Sequence, residues 1–191
     1  MHPALSPDKR QLAFVSNRNG QHAIWTIPFD SNERNPEISN RLYEESDGLP
    51  TDLVWTADSR YLIYSVRGGE DAGICRLDSH FSTPPEALVR DNHTNIFPEI
   101  ASDNTLYFSS NRDGSWHIYR LDIDTGHIVP NQNLKGYPVV PSYDGSSLYV
   151  TGLRDGGIER YDLATAKKQV LDISLQSGDW ANWGVTKNNT I

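Results

Sequence analysis

Residues Leu5 to Gly20 read LSPDKRQLAFVSNRNG, and residues Ile100 to Gly114 read IASDNTLYFSSNRDG. Each runs from an apolar residue through a short turn with an Asp into an apolar strand, and ends in Ser-Asn-Arg-x-Gly. The second ending, at Ser110, stands 94 positions after the first, at Ser16. Two weaker copies fill the gaps: VWTADSRYLIYSVRGG from Val54 to Gly69, and VVPSYDGSSLYVTGLRDGG from Val139 to Gly157. The turn aspartates Asp8, Asp58, Asp103 and Asp144 are spaced by 50, 45 and 41 residues. The arginines after the strand, Arg18, Arg67, Arg112 and Arg154, are spaced by 49, 45 and 42. Two markers that drift together indicate a repeat, the first thing to seek in a chain of this length.

Each copy continues in the same way. A second strand follows the Arg-Gly turn: AIWTIPF (Ala23 to Phe29), GICRLD (Gly73 to Asp78), HIYRLDI (His117 to Ile123) and IERYDL (Ile158 to Leu163). A polar turn comes next, clearest at Asp124 to Gly126, and then a weaker strand: ISNRLY, EALVRD, HIVPNQ and KQVLDI. Apolar residues do not recur at helical spacing over any long window, and Gly, Pro, Asn and Asp punctuate the chain densely. In LAFVS, LIYSV, LYFSS and LYVTG the apolar residues are nearly continuous, as expected of strands buried on both faces; a sheet with one wet face alternates. Four short strands per roughly 45 residues is the arithmetic of a β-propeller blade. The turns agree. Pro7 supplies a fixed φ beside Asp8, and Gly20 and Gly114 suit the positive φ of a tight hairpin.

The fold class expected is therefore all-β: a β-propeller of four-stranded blades, with four recognisable repeats plus the start of a fifth. The blade-like units cover residues 1–50, 51–95, 96–136 and 137–179, with the fifth beginning at 180–191, where Asn188 to Ile191 align with Asp103 to Leu106. Closed propellers of this type run to roughly six to eight blades, each near 45 residues, so the chain reads as a piece of a larger one. Terminal blades of an open array expose apolar faces, which favours association into a homo-oligomer.

The residues LSPDKRQLAFVSNRNGQHAIWTI resemble the TolB-type, WD40-like β-propeller repeat, whose hallmark is an SPDG-like turn, a strand, Ser-Asn-Arg-x-Gly and then Ile with Tyr or Trp. PEIASDNTLYFSSNRDGSWHIYRLDIDTG resembles it more fully; the second unit lacks the Ser-Asn, and the fourth inserts Gly152-Leu153 before Arg154. The resemblance covers almost the whole chain. It implies a fold more than a function, because the family includes envelope-assembly proteins, peptidase gating domains, a pectin-fragment lyase and sensor domains of regulators. The tail DWANWGVTKNNTI is similar to propellers fused to winged-helix, CadC-like, membrane-tethered transcriptional regulators of bacteria. That resemblance implies a periplasmic or extracytoplasmic place.

Composition narrows the chemistry. The 191 residues carry a net charge of −8, which repels phosphate backbones and argues against direct contact with nucleic acid. Five Trp, nine Tyr and five Phe are enough to build a core. The single cysteine, Cys75, excludes an internal disulfide and reads as a small core hydrophobe. No apolar run approaches the roughly 18–20 residues of a membrane helix, and MHPALSPDKR lacks the apolar core of a signal peptide.

The binding residues expected are Arg18, Arg67, Arg112 and Arg154, as guanidinium groups at corresponding positions on a loop-rich face, together with Asp179, Trp180 and Trp183. Guanidinium takes a carboxylate through two parallel hydrogen bonds. The alternative is that each arginine belongs to the repeat's own structure. The six histidines show no HxH or HxxxH spacing, so neither a metal site nor any cofactor is expected. Asp122 to Gly126, DIDTG, matches half of a calcium loop, but the position of its bidentate Glu is Asn133, which favours a plain turn. No G-x-S-x-G elbow or phosphate loop occurs, so no catalytic residue is expected. The functions open at this point are a non-catalytic binding or sensing module, with a protein partner or small ligand at the loop face, and part of a propeller enzyme. The enzyme would be a metal-dependent oligogalacturonate-lyase-like protein, or a serine peptidase whose gating propeller this is.

Overall fold

A computed structural model describes residues 3–29, 40–44, 48–69, 72–80, 83–152, 157–174 and 188. Among them there is no helix, and sixteen strands form four antiparallel sheets. The first sheet is β1 (Ala4–Leu5), β2 (Gln11–Ser16), β3 (Ala23–Pro28) and β4 (Asn40–Glu44), and the second is β5 (Leu49–Trp55), β6 (Tyr61–Arg67), β7 (Gly73–Asp78) and β8 (Glu86–Val89). The third is β9 (Asn95–Ile100), β10 (Leu106–Ser110), β11 (His117–Leu121) and β12 (Ile128–Lys135), and the fourth is β13 (Val139–Pro141), β14 (Ser147–Thr151), β15 (Gly157–Asp162) and β16 (Lys168–Ser174). Each is a meander whose strands lie side by side in chain order, as a propeller blade requires. The stretch from residue 175 onward, where a fifth unit was expected, lies outside the described residues apart from Asn188.

The Asp turns explain how each meander starts. The Ser6 hydroxyl donates to the Asp8 carboxylate at 2.6 Å and accepts from the Gln11 amide at 2.9 Å, while Asp8 also accepts from the Arg10 amide at 3.0 Å. Thr56 and Asp58 repeat this with the amides of Tyr61 and Arg60, and Ser142 and Asp144 repeat it with those of Ser147 and Ser146. In the third sheet Ala101 stands where the hydroxyl would be, and only the Asp103 bond to the Thr105 amide remains. The turn there is also one residue shorter: the Ala101 amide bonds Thr105 O, whereas the Ser6 amide bonds Gln11 O. The residue after each Asp adopts a left-handed backbone: Lys9 at φ 61°, Ser59 at 60°, Asn104 at 66° and Gly145 at 70°. Glycine, which fits this geometry best, stands at only the last of these.

Contacts divide the chain into two compact units, Met1–Pro98 and Glu99–Ile191. In the first, Ala13 and Ile24 of one sheet pack with Trp55, Leu62, Tyr64, Val66, Cys75 and Leu77 of the next. In the second, Ala101, Tyr107, Ile118 and Leu134 pack with Val139, Leu148, Val150 and Tyr161. Cys75 is buried in the first cluster as a small hydrophobe. The middle strands β10 and β14 are buried at every residue, and β6 at all but its ends. Strand β2 differs: Ala13 and Val15 are buried, but Leu12 and Phe14 on its other face are only half-buried.

Candidate functional site

Strand register fixes which residues correspond between sheets. Leu12 faces Ile27, Leu62 faces Leu77, Leu106 faces Leu121 and Leu148 faces Tyr161. Counted from these leucines, Arg18, Arg112 and Arg154 stand six residues on, but Arg67 stands five. The expected ring of four equivalent arginines is thereby corrected. Arg67 occupies the place of Asn17 and Asn111, and Gly68 occupies the arginine's.

Arg18 and Arg112 are held alike. The Nε of each donates to the serine hydroxyl two residues before it, Ser16 or Ser110, at 3.3 Å. Each guanidinium carbon lies 4.7 Å from the ring centre of an aromatic on the neighbouring strand, Trp25 or Tyr119. A second ring lies beneath each, Phe14 at 5.0 Å and Phe108 at 5.7 Å. Serine, arginine and the facing aromatic of the SNR hairpin thus form one packed unit, and a cation over such rings contributes about 0.5–1 kcal/mol at an exposed site. Tyr119 adds a bond from its hydroxyl to the Asp113 carboxylate. Burial, and then this bond, push the Tyr119 phenol well above its ordinary range.

Arg67 has no such platform. The residues equivalent to Phe14 and Trp25 are Tyr64 and Cys75, a fully buried ring and a thiol. Arg67 instead closes β6 opposite Leu49. Its Nη2 donates to the Asp52 carboxylate at 3.1 Å, and its guanidinium carbon lies 5.4 Å from the ring centre of Phe97 on β9, still within the first unit. The Asp52 carboxylate also accepts from the Thr51 hydroxyl at 3.0 Å. The β5–β6 ladder jumps from Thr51–Ser65 to Val54–Ile63, so Asp52 and Leu53 stand opposite a single residue in a β-bulge. Asp52 and Phe97 are 45 positions apart, the same spacing as Asp58 and Asp103. Both have a left-handed backbone, φ 52° and 53°. For phenylalanine this is an uncommon state, held by its surroundings.

Arg154, Asp179, Trp180 and Trp183 lie outside the described residues. Asp52 and Phe97 were missed by sequence reasoning. The only signal for them was their shared offset from the turn aspartates, and neither residue type announces a left-handed backbone at that point.

At the other end of the third sheet, Asp103, Asn104, Thr105, Arg120, Asp122 and Asp124 line a polar cleft of about 290 Å³. The DIDTG segment here is a strand-ending turn: Asp122 accepts from the amides of Asp124 and Thr125, each at 3.0 Å. Those donors, Thr125 foremost, hold the Asp122 carboxyl below its ordinary range. Among the described residues no three His, Cys, Asp or Glu side chains gather where they could hold a metal ion, and no helix is long and apolar enough to cross a membrane.

Solved structures share this architecture. TolB from Acinetobacter baumannii superposes with a TM-score of 0.70 over 90% of this chain and 43% of its own length, at 18% identity. The chain is built as a TolB-like β-propeller is. An oligogalacturonate lyase in complex with manganese gives 0.71 over 94% of this chain and 55% of its own, at 12% identity. A puromycin-hydrolysing peptidase of Mycobacterium tuberculosis gives 0.67 over 90% and 31%, at 17% identity. The chain thus spans between 31% and 55% of the length of these propeller proteins. No protein-family model matches it, and no curated protein sequence does either. Likeness at such low identity establishes the fold and leaves the activity to the chain's own residues.

Proposed function

We propose that the chain is a non-catalytic binding or sensing module of a bacterial envelope protein, periplasmic or otherwise extracytoplasmic. It would be either the sensor domain of a CadC-like transcriptional regulator or the interaction propeller of a TolB-like protein. The observation that carries this reading is the division of labour among the arginines. Arg18 and Arg112 are packed into their own hairpins, while Arg67 leaves the repeat pattern to lie beside Asp52 and Phe97. A scaffold that holds its other described motif arginines in structural roles and sets one beside the bulge of a neighbouring strand suits recognition, because loop ends on a rigid frame are where binding gathers. The CadC-like assignment rests on the tail resemblance, and the envelope location on the TolB-like neighbours.

The test uses the full-length gene product in cells, with a photo-crosslinking amino acid at position 67 and, separately, at position 18. A discrete crosslinked partner from position 67, recovered from the envelope fraction, is the expected result. A purified protein that retains one divalent ion per chain and cleaves a uronate polymer would overturn the reading in favour of a lyase. An attached hydrolase domain with peptidase turnover would do so in favour of a gating propeller.

A further inference from the structure

We infer that Arg67 is the recognition point of this module and takes a carboxylate of a polypeptide partner, with Phe97 as the shelf beneath the guanidinium and Asp52 as the group that orients it. This deepens the binding-module reading and rests on it. The three motif arginines among the described residues differ in what their donors do. Arg18 and Arg112 each spend Nε on a serine of their own hairpin and lie over two rings. Among the described residues Arg67 gives one Nη2 hydrogen to Asp52. A guanidinium has five N–H donors, so among the described residues Asp52 leaves the Nε hydrogen, both Nη1 hydrogens and the second Nη2 hydrogen to other partners. That is enough for a two-bond contact with a planar carboxylate. The Arg67 side chain is 44% exposed, whereas that of Asp52 is 14% exposed, so the fixed end of the ion pair is the carboxylate and the open end is the guanidinium.

Two features favour a designed position over a surface accident. Asp52 and Phe97 hold the same left-handed conformation at matching places on successive inner strands, which costs energy for a non-glycine residue. The hairpin after β6 has the same length as in the first and third sheets, but its arginine stands one position earlier, at the place of Asn17 and Asn111, and so lies beside these two side chains. A small acid bound alone would need most of its surface enclosed. A guanidinium this open instead suits a carboxylate carried on a larger body that covers the site as it docks.

The test follows the Nε–H resonance of Arg67 in the 191-residue chain, assigned by its loss in Arg67→Lys. The probes are a tetraglutamate peptide, a capped tetraglutamine peptide and acetate. Tetraglutamate should move the Arg67 resonance saturably and leave those of Arg18 and Arg112 in place. It should bind at least tenfold more tightly than acetate, and tetraglutamine should not bind. Arg67→Lys keeps the charge but loses the fork, and should weaken tetraglutamate at least fivefold as read from the Gly68 amide. Equal shifts at all three arginines, an unchanged affinity in Arg67→Lys, or no saturable shift would overturn the site. Acetate binding as tightly as the peptide would overturn the polypeptide source. If Arg67→Lys leaves the cellular crosslinked partner in place, captured from a second position on the loop face, the site fails while the binding module stands; loss of any partner removes both.

Discussion

The backbone amide of Asp8 donates to the hydroxyl of Ser59 at 3.1 Å, across 51 residues and from one sheet to the next. The acceptor is itself the left-handed residue of the second Asp turn, and the donor immediately precedes Lys9, the left-handed residue of the first. Two strained turns are therefore joined, and only one of the strained side chains serves the junction. Lys9→Gly should stabilise the chain by about 0.5–1 kcal/mol, the relief of left-handed strain less the added freedom of the unfolded chain. Ser59→Gly gains the same relief but gives up the hydrogen bond, and should come out near zero. Urea unfolding of the two variants checks the difference; equal gains would mean that the junction contributes nothing.

The arginines should sort by stability as they sort by geometry. Arg18→Ala and Arg112→Ala each remove a cation over two rings and a bond to serine, and should cost about 1 kcal/mol apiece. Arg67→Ala breaks an ion pair whose arginine is nearly half exposed, and should cost less than about 0.5 kcal/mol. Thermal melts of the three variants read this directly. A loss at Arg67 as large as at Arg18 would make it structural after all.

Acid should loosen the turns in a predictable order. The Thr56 hydroxyl, and then the Arg60 amide, hold the Asp58 carboxyl below its ordinary range. A carboxyl with a lowered folded pKa adds stability that is fully present above the unfolded value, near 3.8, and is lost as the pH falls through the folded value. Asp8 is lowered in the same way, by the Ser6 hydroxyl first. Thr56→Ala and Asp58→Asn should therefore reduce stability at pH 7, and the gap to the parent should narrow below about pH 4. Denaturant midpoints at pH 7 and pH 3 test this, and a gap that widens in acid would contradict it.

Two glycines with positive φ should respond very differently to alanine. A Cβ on Gly68, at φ 76°, meets nothing within 4 Å, so Gly68→Ala should cost only the backbone strain, about 1 kcal/mol. A Cβ on Gly73, at φ 155°, would collide with the Val89 carbonyl oxygen on the adjoining strand. Gly73→Ala should cost at least about 2 kcal/mol or prevent folding, because β7 or β8 must move. Expression level and denaturant midpoint, measured side by side, separate the two.

The meanders were legible because their signals are local. Asp8, Asp58 and Asp144 each sit two residues after a hydroxyl that the turn uses, and the apolar runs after Asp58 and Asp144 become buried middle strands, while the run after Asp8 is buried on one face. The place of Arg67 was not legible, and the reason is specific. Asp58 precedes Arg67 by nine residues and Asp103 precedes Arg112 by nine, so the two arginines look equivalent. In the third sheet the missing residue is in the Asp turn, where Ala101 bonds Thr105. In the second no residue is missing: Arg67 stands one position earlier in a hairpin of the same length, with Gly68 in the arginine's place. A residue lost before one strand and an arginine moved one place after another leave the same spacing, and only hydrogen-bond register tells them apart. Phe97 was hidden for a different reason: its conformation is imposed by tertiary surroundings that the residue type opposes.

The lighter burial of Leu12 and Phe14 on β2 has a consequence in time as well as in energy. Deuterium should enter the amides of β2 sooner than those of β6, β10 and β14, whose side chains lie between covered faces. Local opening would then begin on the face of Leu12 and Phe14, while Ala13 and Ile24 on the other face stay fully enclosed.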